Sequence, residues 1–291
     1  MIQLLAIDID GTLLDSRGQL PAAHRDAVVD ASAQGIEIAL VTGRSFHFSQ
    51  PIAALLPVPL TLVCNNGALV KDAAGASQMR FLLPRETART VLLDTQAWED
   101  SVALIFDRPI PGDGAPEGDV RQVMFDRMDW SHPDRRGYFQ KNRAFIAKAP
   151  SALIDLLTED PVQVMFNGSV ARMRALAASL AALAAGRFAV AVTEYERRDF
   201  SLVDVNGPGC SKGATLARWA EARGLTRDEV MAVGDNLNDV DMLEYAGTAV
   251  VMANASDMLK SRGYLTTGSH DEGGLATAIR RYALARASER A

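Results

Sequence analysis

The sequence is poor in the residues that form disulfide frameworks and zinc sites. Only two cysteines and four histidines occur among 291 residues. Cys64 and Cys210 lie far apart, and the histidines form no paired motif. Because both kinds of site need several such residues at short, regular spacings, neither is expected. Each cysteine is interpreted as a buried apolar residue.

The chain also lacks an excess of basic residues and a long apolar run. Lysine and arginine total 30 against 36 aspartates and glutamates, a formal net charge of -6. Because nucleic-acid phosphates are bound by basic surfaces, no nucleic-acid partner is expected. The Ala/Leu-rich stretch 175–185 is interrupted by Ser179, and MIQLLAIDID has no basic residue before its apolar run, unlike a secretory signal. We expect a cytoplasmic protein without a membrane partner; no pattern indicates an oligomeric state.

Strand and helix signals alternate at both ends of the chain. The apolar runs LLAIDI, IEIALVTGR and LTLVCNNGAL accompany a helical pattern at about 22–34, and VMAVGD and TAVVM follow another at 212–223. Ser211 is a candidate helix cap, and Thr226 with Glu229 matches a capping box. This alternation predicts an α/β fold with a doubly wound parallel-sheet core, whose functional loops meet at the carboxyl edge.

The middle of the chain is less regular. It contains IPGDGAPEGD at 110–119, which is typical of a loop, an aromatic and basic region at 125–145, and helical patterns near 150–157 and 170–185. We interpret it as an inserted α+β domain. The predicted core therefore comprises residues 1–82 and 190–291, and the predicted insert comprises residues 83–189.

Polar and charged residues follow several of the apolar runs. They occur in DIDGT, TGR, SKG and GDNLNDVDM: Asp8, Asp10, Thr42, Gly43, Lys212, Asp235, Asn238 and Asp239. Asp8 and Asp10 alone would also suit a solvated strand end, since alternation explains only why Ile7 and Ile9 are buried. Four carboxylates in one cleft repel unless a cation neutralises them. Oxygen ligands without His or Cys favour Mg²⁺, which suits a phosphorylated substrate.

Together these motifs resemble the four signature motifs of the haloacid dehalogenase-like superfamily. DIDGT at 8–12, Thr42, Lys212 and GDNLND at 234–239 carry the resemblance, and VTGR, NNGA, SKG and GDNLNDVDML are similar to its Cof-type branch of sugar-phosphate phosphatases. That branch carries a cap domain between the second and third motifs. The resemblance covers both core segments, whereas the insert matches in position and size more than in residues.

The resemblance implies that Asp8 is the nucleophile and that Asp10 is the general acid and then the general base. Mg²⁺ would be held by Asp8, the backbone carbonyl of Asp10 and Asp235, while Asp239 would orient a bound water or Lys212. Superfamily dehalogenases and phosphonate hydrolases lack the second acid, and the transport ATPases have threonine there. Asp10 therefore favours phosphate monoesters, whose leaving group requires a proton.

The same resemblance assigns the phosphate contacts. Lys212 would neutralise Asp8 and the transferring phosphoryl group, and Thr42 and the amide of Gly43 would bind its oxygens. Asn238 is a further expected phosphate contact. Asn65, Asn66 and Gly67 suit either a turn or a substrate contact.

Two groups in the predicted insert have alternative interpretations. The basic residues are either a solvated face or a contact for an anionic substrate: Arg135, Arg136, Lys141 and Arg143. The aromatic residues are either part of the small core or a sugar-binding wall: Trp130, His132 and Tyr138.

The predicted function is a Mg²⁺-dependent phosphatase of a small phosphorylated metabolite, such as a sugar phosphate. Two alternatives remain open. A phosphosugar mutase of the same superfamily would protect its phosphorylated intermediate from water until the intermediate rebinds sugar. A non-catalytic ligand-sensing protein on this fold need not keep the acid, lysine and metal set that this chain retains.

Overall fold

A computed structural model describes residues 1–108 and 121–284. The predicted loop at 110–119 lies outside the described residues. The strands, numbered in chain order, are β1 (Leu4–Ile7), β2 (Glu37–Val41), β3 (Leu60–Cys64), β4 (Leu69–Asp72), β5 (Ser77–Arg80), β6 (Val102–Ile105), β7 (Val123–Phe125), β8 (Ile146–Lys148), β9 (Gln163–Gly168), β10 (Ala189–Tyr195), β11 (Phe200–Asn206), β12 (Val230–Gly234), β13 (Thr248–Val251) and β14 (Leu265–Thr266). The α-helices are α1 (Ala22–Ala33), α2 (Phe46–Ala53), α3 (Arg85–Asp94), α4 (Pro133–Asn142), α5 (Val170–Ala184), α6 (Lys212–Glu221), α7 (Val240–Tyr245), α8 (Asp257–Lys260) and α9 (Gly274–Ala278).

The chain divides into two compact units, and the first combines residues 1–80 with the segment that begins at Ser211. Its sheet has the order β14-β13-β12-β1-β2-β3-β4-β5. The strands from β14 to β3 pair in parallel, whereas β4 pairs antiparallel with both β3 and β5. The strand order reverses between β1 and β12, which is the switch point where doubly wound sheets bind ligands. The predicted parallel-sheet core is confirmed.

The sequence of β1 explains why it lies in the middle of this sheet. All of Leu4–Ile7 is buried, as expected for a parallel strand that is covered on both faces. Leu4 and Ala6 belong to one apolar cluster with Leu216 of α6 and Met242 of α7. The Ser211 cap is confirmed, because its Oγ accepts from the amide of Ala214 at 3.1 Å.

The second unit comprises residues 81–210. In its described part the sheet order is β10-β11-β9-β6-β7-β8, with antiparallel pairing except between β7 and β8. Helix α5 contributes Met173, Leu176 and Leu180 to the core cluster that also contains Phe166 of β9. These helix residues recur at the spacing of an amphipathic helix.

The boundaries of the insert differ from the sequence prediction. We predicted residues 83–189, but β10 and β11 pair with each other and β11 pairs with β9, so residues 190–210 belong to the second unit. Alternating apolar residues indicate a strand without identifying the sheet that it joins. The helix expected near 150–157 is a short 3₁₀ turn at Leu153–Leu156. Among the described residues, no helix is both long and apolar enough to cross a membrane.

Candidate active site

The predicted site residues of the first unit follow the carboxyl ends of neighbouring parallel strands. Asp8 follows β1, Thr42 follows β2 and Asp235 follows β12. Because adjacent parallel strands end at the same edge, residues separated by more than 200 positions in the sequence become neighbours. Lys212 enters from the first turn of α6.

Lys212 forms a buried ionic cluster with two aspartates. Its Nζ lies 2.7 Å from Oδ1 of Asp8 and 2.6 Å from Oδ1 of Asp239. The exposed fraction is 1% for Lys212, 4% for Asp8 and 0% for Asp239. A lysine at a helix N-terminus opposes the helix dipole, so the two carboxylates supply the compensating charge. The predicted contact between Lys212 and Asp8 is present.

The pKa values of Asp8 and Lys212 are both raised, but for different reasons. Burial raises the pKa of Asp8 to about 8, the charges of Asp239 and Asp10 add to the increase, and Lys212 offsets part of it. Burial alone would lower the pKa of Lys212, but Asp239 and Asp8 outweigh this effect and raise it. Lys212 therefore stays protonated across the physiological range.

Asp235 forms an acidic group with Asp8 and Asp239, in which one carboxylate oxygen from each residue lies within 4.8 Å of the other two. Burial, followed by the charges of Asp8 and Asp239, raises the pKa of Asp235 well above its ordinary value. A bound divalent cation would favour the ionised carboxylates, and an all-oxygen donor set suits a hard cation such as Mg²⁺. The residues present therefore fit the expected metal.

Asp239 has its oxygens engaged by protein donors. Oδ1 accepts from Lys212, and Oδ2 accepts from the backbone amides of Asp235 and Asn236 at 3.0 and 2.9 Å. These bonds fix the loop that carries Asp235, which fits the orienting role expected for Asp239 better than direct coordination.

The side chain of Asp10 points to a partner that the sequence analysis missed. Nε and Nη2 of Arg44 donate to the two carboxylate oxygens of Asp10, each at 2.6 Å. Both side chains are about one-third exposed. Such two-point pairing fixes the orientation of a carboxylate more strongly than a single contact does. Arg44 completes the VTGR motif, so its position was visible in the sequence although its role was not.

The expected phosphate-binding residues lie close together at the carboxyl edge of the sheet in the first unit. Nδ2 of Asn238 donates to Oδ1 of Asn66 at 2.9 Å, and Oγ1 of Thr42 accepts from the amide of Arg44 at 3.1 Å. A Cβ added to Gly43 would lie 3.1 Å from Oδ1 of Asn66. Asn66 adopts a left-handed backbone (φ 53°), so the turn interpretation is correct and the residue also touches Asn238.

Gly11 makes a close approach that a larger residue cannot make. It has φ +82°, and a Cβ placed there would lie 2.2 Å from Oδ2 of Asp235. We expect Gly11→Ala to displace Asp235 and to lower kcat/KM by about 100-fold, because small displacements of catalytic groups have effects of this order. Gly18→Ala is the matched control, since Gly18 has φ +72° with nothing within 4 Å of its added Cβ. Equal losses of activity in the two variants would contradict the prediction.

The candidate residues of the second unit divide by burial. Arg135 is buried, bonds to the Asn167 side chain and carbonyl, and donates to the Asp129 carbonyl, so it stabilises this unit internally. Trp130 packs edge-on against Phe125. His132 caps α4 by accepting from the amide of Asp134. Tyr138 is 42% exposed. Trp130 and His132 are half-buried, and neither belongs to the apolar core cluster of this unit.

Comparison with known proteins agrees with this arrangement. The sequence model of the haloacid dehalogenase-like hydrolases matches residues 5–279. Pyridoxal phosphate phosphatase YbhA of Escherichia coli is 27% identical over 293 residues, covering 95% of this chain and 97% of that protein. Phosphatase YwpJ of Bacillus subtilis is 28% identical over 291 residues, covering 94% and 98%. A haloacid dehalogenase-like hydrolase structure from Bacteroides thetaiotaomicron has a TM-score of 0.75 at 22% identity, covering 97% of this chain and 99% of that one.

The chain belongs to the haloacid dehalogenase-like hydrolase family, because the family match spans nearly all of it. It is therefore a hydrolase, and its predicted relationship to the Cof-type branch is confirmed.

Proposed function

We propose that the protein is a Mg²⁺-dependent phosphatase that hydrolyses small phosphorylated metabolites, sugar phosphates among them, through a phosphorylated Asp8. The buried cluster of Asp8, Lys212 and Asp239 beside Asp235 carries the proposal. Membership of a hydrolase family with phosphatase relatives supports a phosphoric monoester hydrolase. By the same resemblance, the inserted unit is the candidate for selecting the leaving group.

The names of two relatives indicate how broad the substrate class is. One is a pyridoxal phosphate phosphatase and another is a 5-amino-6-(5-phospho-D-ribitylamino)uracil phosphatase. Each name describes a phosphate ester of a small metabolite, and the second contains a sugar-derived chain. We therefore assign this chain to small phosphate monoesters as a class.

Asp8 and Asp235 would hold Mg²⁺ through their side chains, and Asp10 would do so through its backbone carbonyl. When bound, the cation would neutralise phosphate charge and polarise the phosphoryl oxygens. Lys212 would add a fixed positive charge next to the phosphoryl group, since it already bonds to Oδ1 of Asp8. Thr42, the amide of Gly43 and Asn238 are proposed to bind the remaining oxygens.

The chemistry then divides between the first two aspartates. One carboxylate oxygen of Asp8 attacks phosphorus, and the bond between phosphorus and the leaving oxygen breaks. Asp10 donates a proton to that oxygen. It next accepts a proton from the water that attacks the aspartyl phosphate, which releases inorganic phosphate and regenerates Asp8. Arg44 donates one hydrogen bond to each oxygen of Asp10, which leaves a lone pair on each oxygen for the transferred proton.

The purified protein is expected to hydrolyse para-nitrophenyl phosphate with Mg²⁺ and to lose this activity after treatment with a chelator. Activity should return when Mg²⁺ is restored, because the acidic group needs a cation to bind an anionic substrate. Release of nitrophenol and of inorganic phosphate measures the reaction. Full activity in excess chelator would contradict the metal requirement.

A panel of phosphorylated metabolites distinguishes the alternatives. A phosphatase accumulates inorganic phosphate from a sugar phosphate in simple buffer, whereas a mutase returns phosphate to sugar. A ligand-sensing protein binds members of the panel without turnover. Ranking the panel by kcat/KM also identifies the preferred substrate.

A further inference from the structure

Asn254 joins three segments that are far apart in the sequence. It follows β13, the strand that pairs with the one preceding Asp235. Its Nδ2 donates to the backbone carbonyl of Gly11 at 2.8 Å and to Oδ2 of Asp235 at 3.2 Å. Its Oδ1 accepts from the backbone amide of His270 at 3.0 Å. The asparagine side chain can do this because it carries an amide nitrogen with two N–H donors and a separate carbonyl acceptor.

The carbonyl of Gly11 is held from two sides. Besides Asn254, Nδ1 of His270 lies 3.1 Å from this oxygen. Gly11 directly follows Asp10, whose backbone carbonyl is a proposed Mg²⁺ ligand. Fixing the peptide after Gly11 therefore restricts rotation of the turn that presents the Asp10 carbonyl.

The carboxylate of Asp235 is likewise held at both oxygens. Oγ1 of Thr12 donates to Oδ1 at 3.2 Å, and Asn254 donates to Oδ2. Each carboxylate oxygen has two lone pairs, so one donor per oxygen leaves a lone pair for a cation. The two donors thus set the plane of the Asp235 carboxylate and leave it able to coordinate a cation.

We propose that Asn254 is a positioning residue for the Mg²⁺ site, which it orients through Asp235 and through the peptide after Gly11. The inference rests on the proposed Mg²⁺-dependent function. Residues that hold metal ligands affect metal affinity by about 10–100-fold when they are replaced. Asn254 is exposed, and its replacement leaves the apolar core unchanged.

The test is a Mg²⁺ titration of the Asn254→Ala variant without substrate, in which the shift of the thermal midpoint of unfolding measures binding. Because a ligand that binds only the folded state stabilises it, the titration gives an apparent Kd. We expect this Kd to be at least about tenfold weaker than in the wild type. The Mg²⁺ concentration for half-maximal hydrolysis should rise in parallel, and turnover at saturating Mg²⁺ should be largely retained.

Ser256→Ala is the matched control on the same loop. Oγ of Ser256 accepts from the amide of Leu259 and caps α8, so its loss should lower the thermal midpoint without altering Mg²⁺ affinity. If Asn254→Ala behaves like this control, Asn254 has only a structural role and the inference is wrong. If the wild type shows neither a Mg²⁺-dependent shift nor hydrolysis, the proposed function fails and the inference falls with it.

Discussion

Asp8→Asn is expected to abolish phosphate release, with a loss on the order of 10⁴-fold or more, as for other enzymes that lose a nucleophile. The amide has nearly the same shape as the carboxylate but cannot form the phosphorylated intermediate. Lys212 keeps its bond to Asp239 at 2.6 Å, so the fold should survive. Initial rates of phosphate release, with circular dichroism to verify folding, measure the effect.

Asp26→Asn is a suitable control for this variant. Asp26 is exposed on α1 and pairs with Arg25 at the surface, so it changes the net charge equally without touching the site. It should keep wild-type turnover. Unchanged turnover in Asp8→Asn itself would exclude Asp8 as the nucleophile.

Lys212→Met is expected to lower both activity and stability. Removing the ammonium leaves the buried carboxylates of Asp8 and Asp239 without their cation, and breaking buried pairs in this way costs about 3–5 kcal/mol of unfolding free energy. Urea unfolding measures this loss, and the phosphate assay measures the loss of activity. Lys260→Met removes a lysine from a surface pair with Asp257 and should change neither quantity appreciably.

The stability loss of Lys212→Met should depend on pH. Burial raises the pKa of Asp8 to about 8 even with Lys212 present, above the ordinary value of 3.8 in the unfolded chain. Folded Asp8 therefore keeps a proton that the unfolded chain loses, so its contribution to stability falls as pH rises from 3.8 towards 8. Without Lys212 the pKa of Asp8 rises further, so the stability deficit of Lys212→Met should grow as pH rises above about 8. A deficit that is the same at neutral and at alkaline pH would contradict this account.

The sequence predicted those parts of the site that depend on strand ends. Asp8, Thr42 and Asp235 follow apolar runs, and parallel strands bring their carboxyl ends together whatever the length of chain between them. The pairing of Lys212 with Asp8 was inferred from the resemblance. The proposed roles of these residues in turnover stay predictions.

Features that depend on non-local packing were missed. The hairpin of β10 and β11 has an alternating pattern that is compatible with either sheet, so the second boundary of the insert was placed too early. Arg44 and Asn254 lie on loops whose partners are determined only by the folded sheet. Hydrophobic periodicity carries no information about such contacts.

The position of β1 in the sheet has a consequence for synthesis of the chain. Leu4 pairs with Glu37 on one side and with Val230 on the other. During translation, one backbone edge of this buried strand therefore lacks its native partner until β12 leaves the ribosome. An unpaired apolar edge promotes association with other chains. Sheet formation around β1, the strand that leads to the proposed nucleophile Asp8, therefore cannot be completed until Val230–Gly234 have been added.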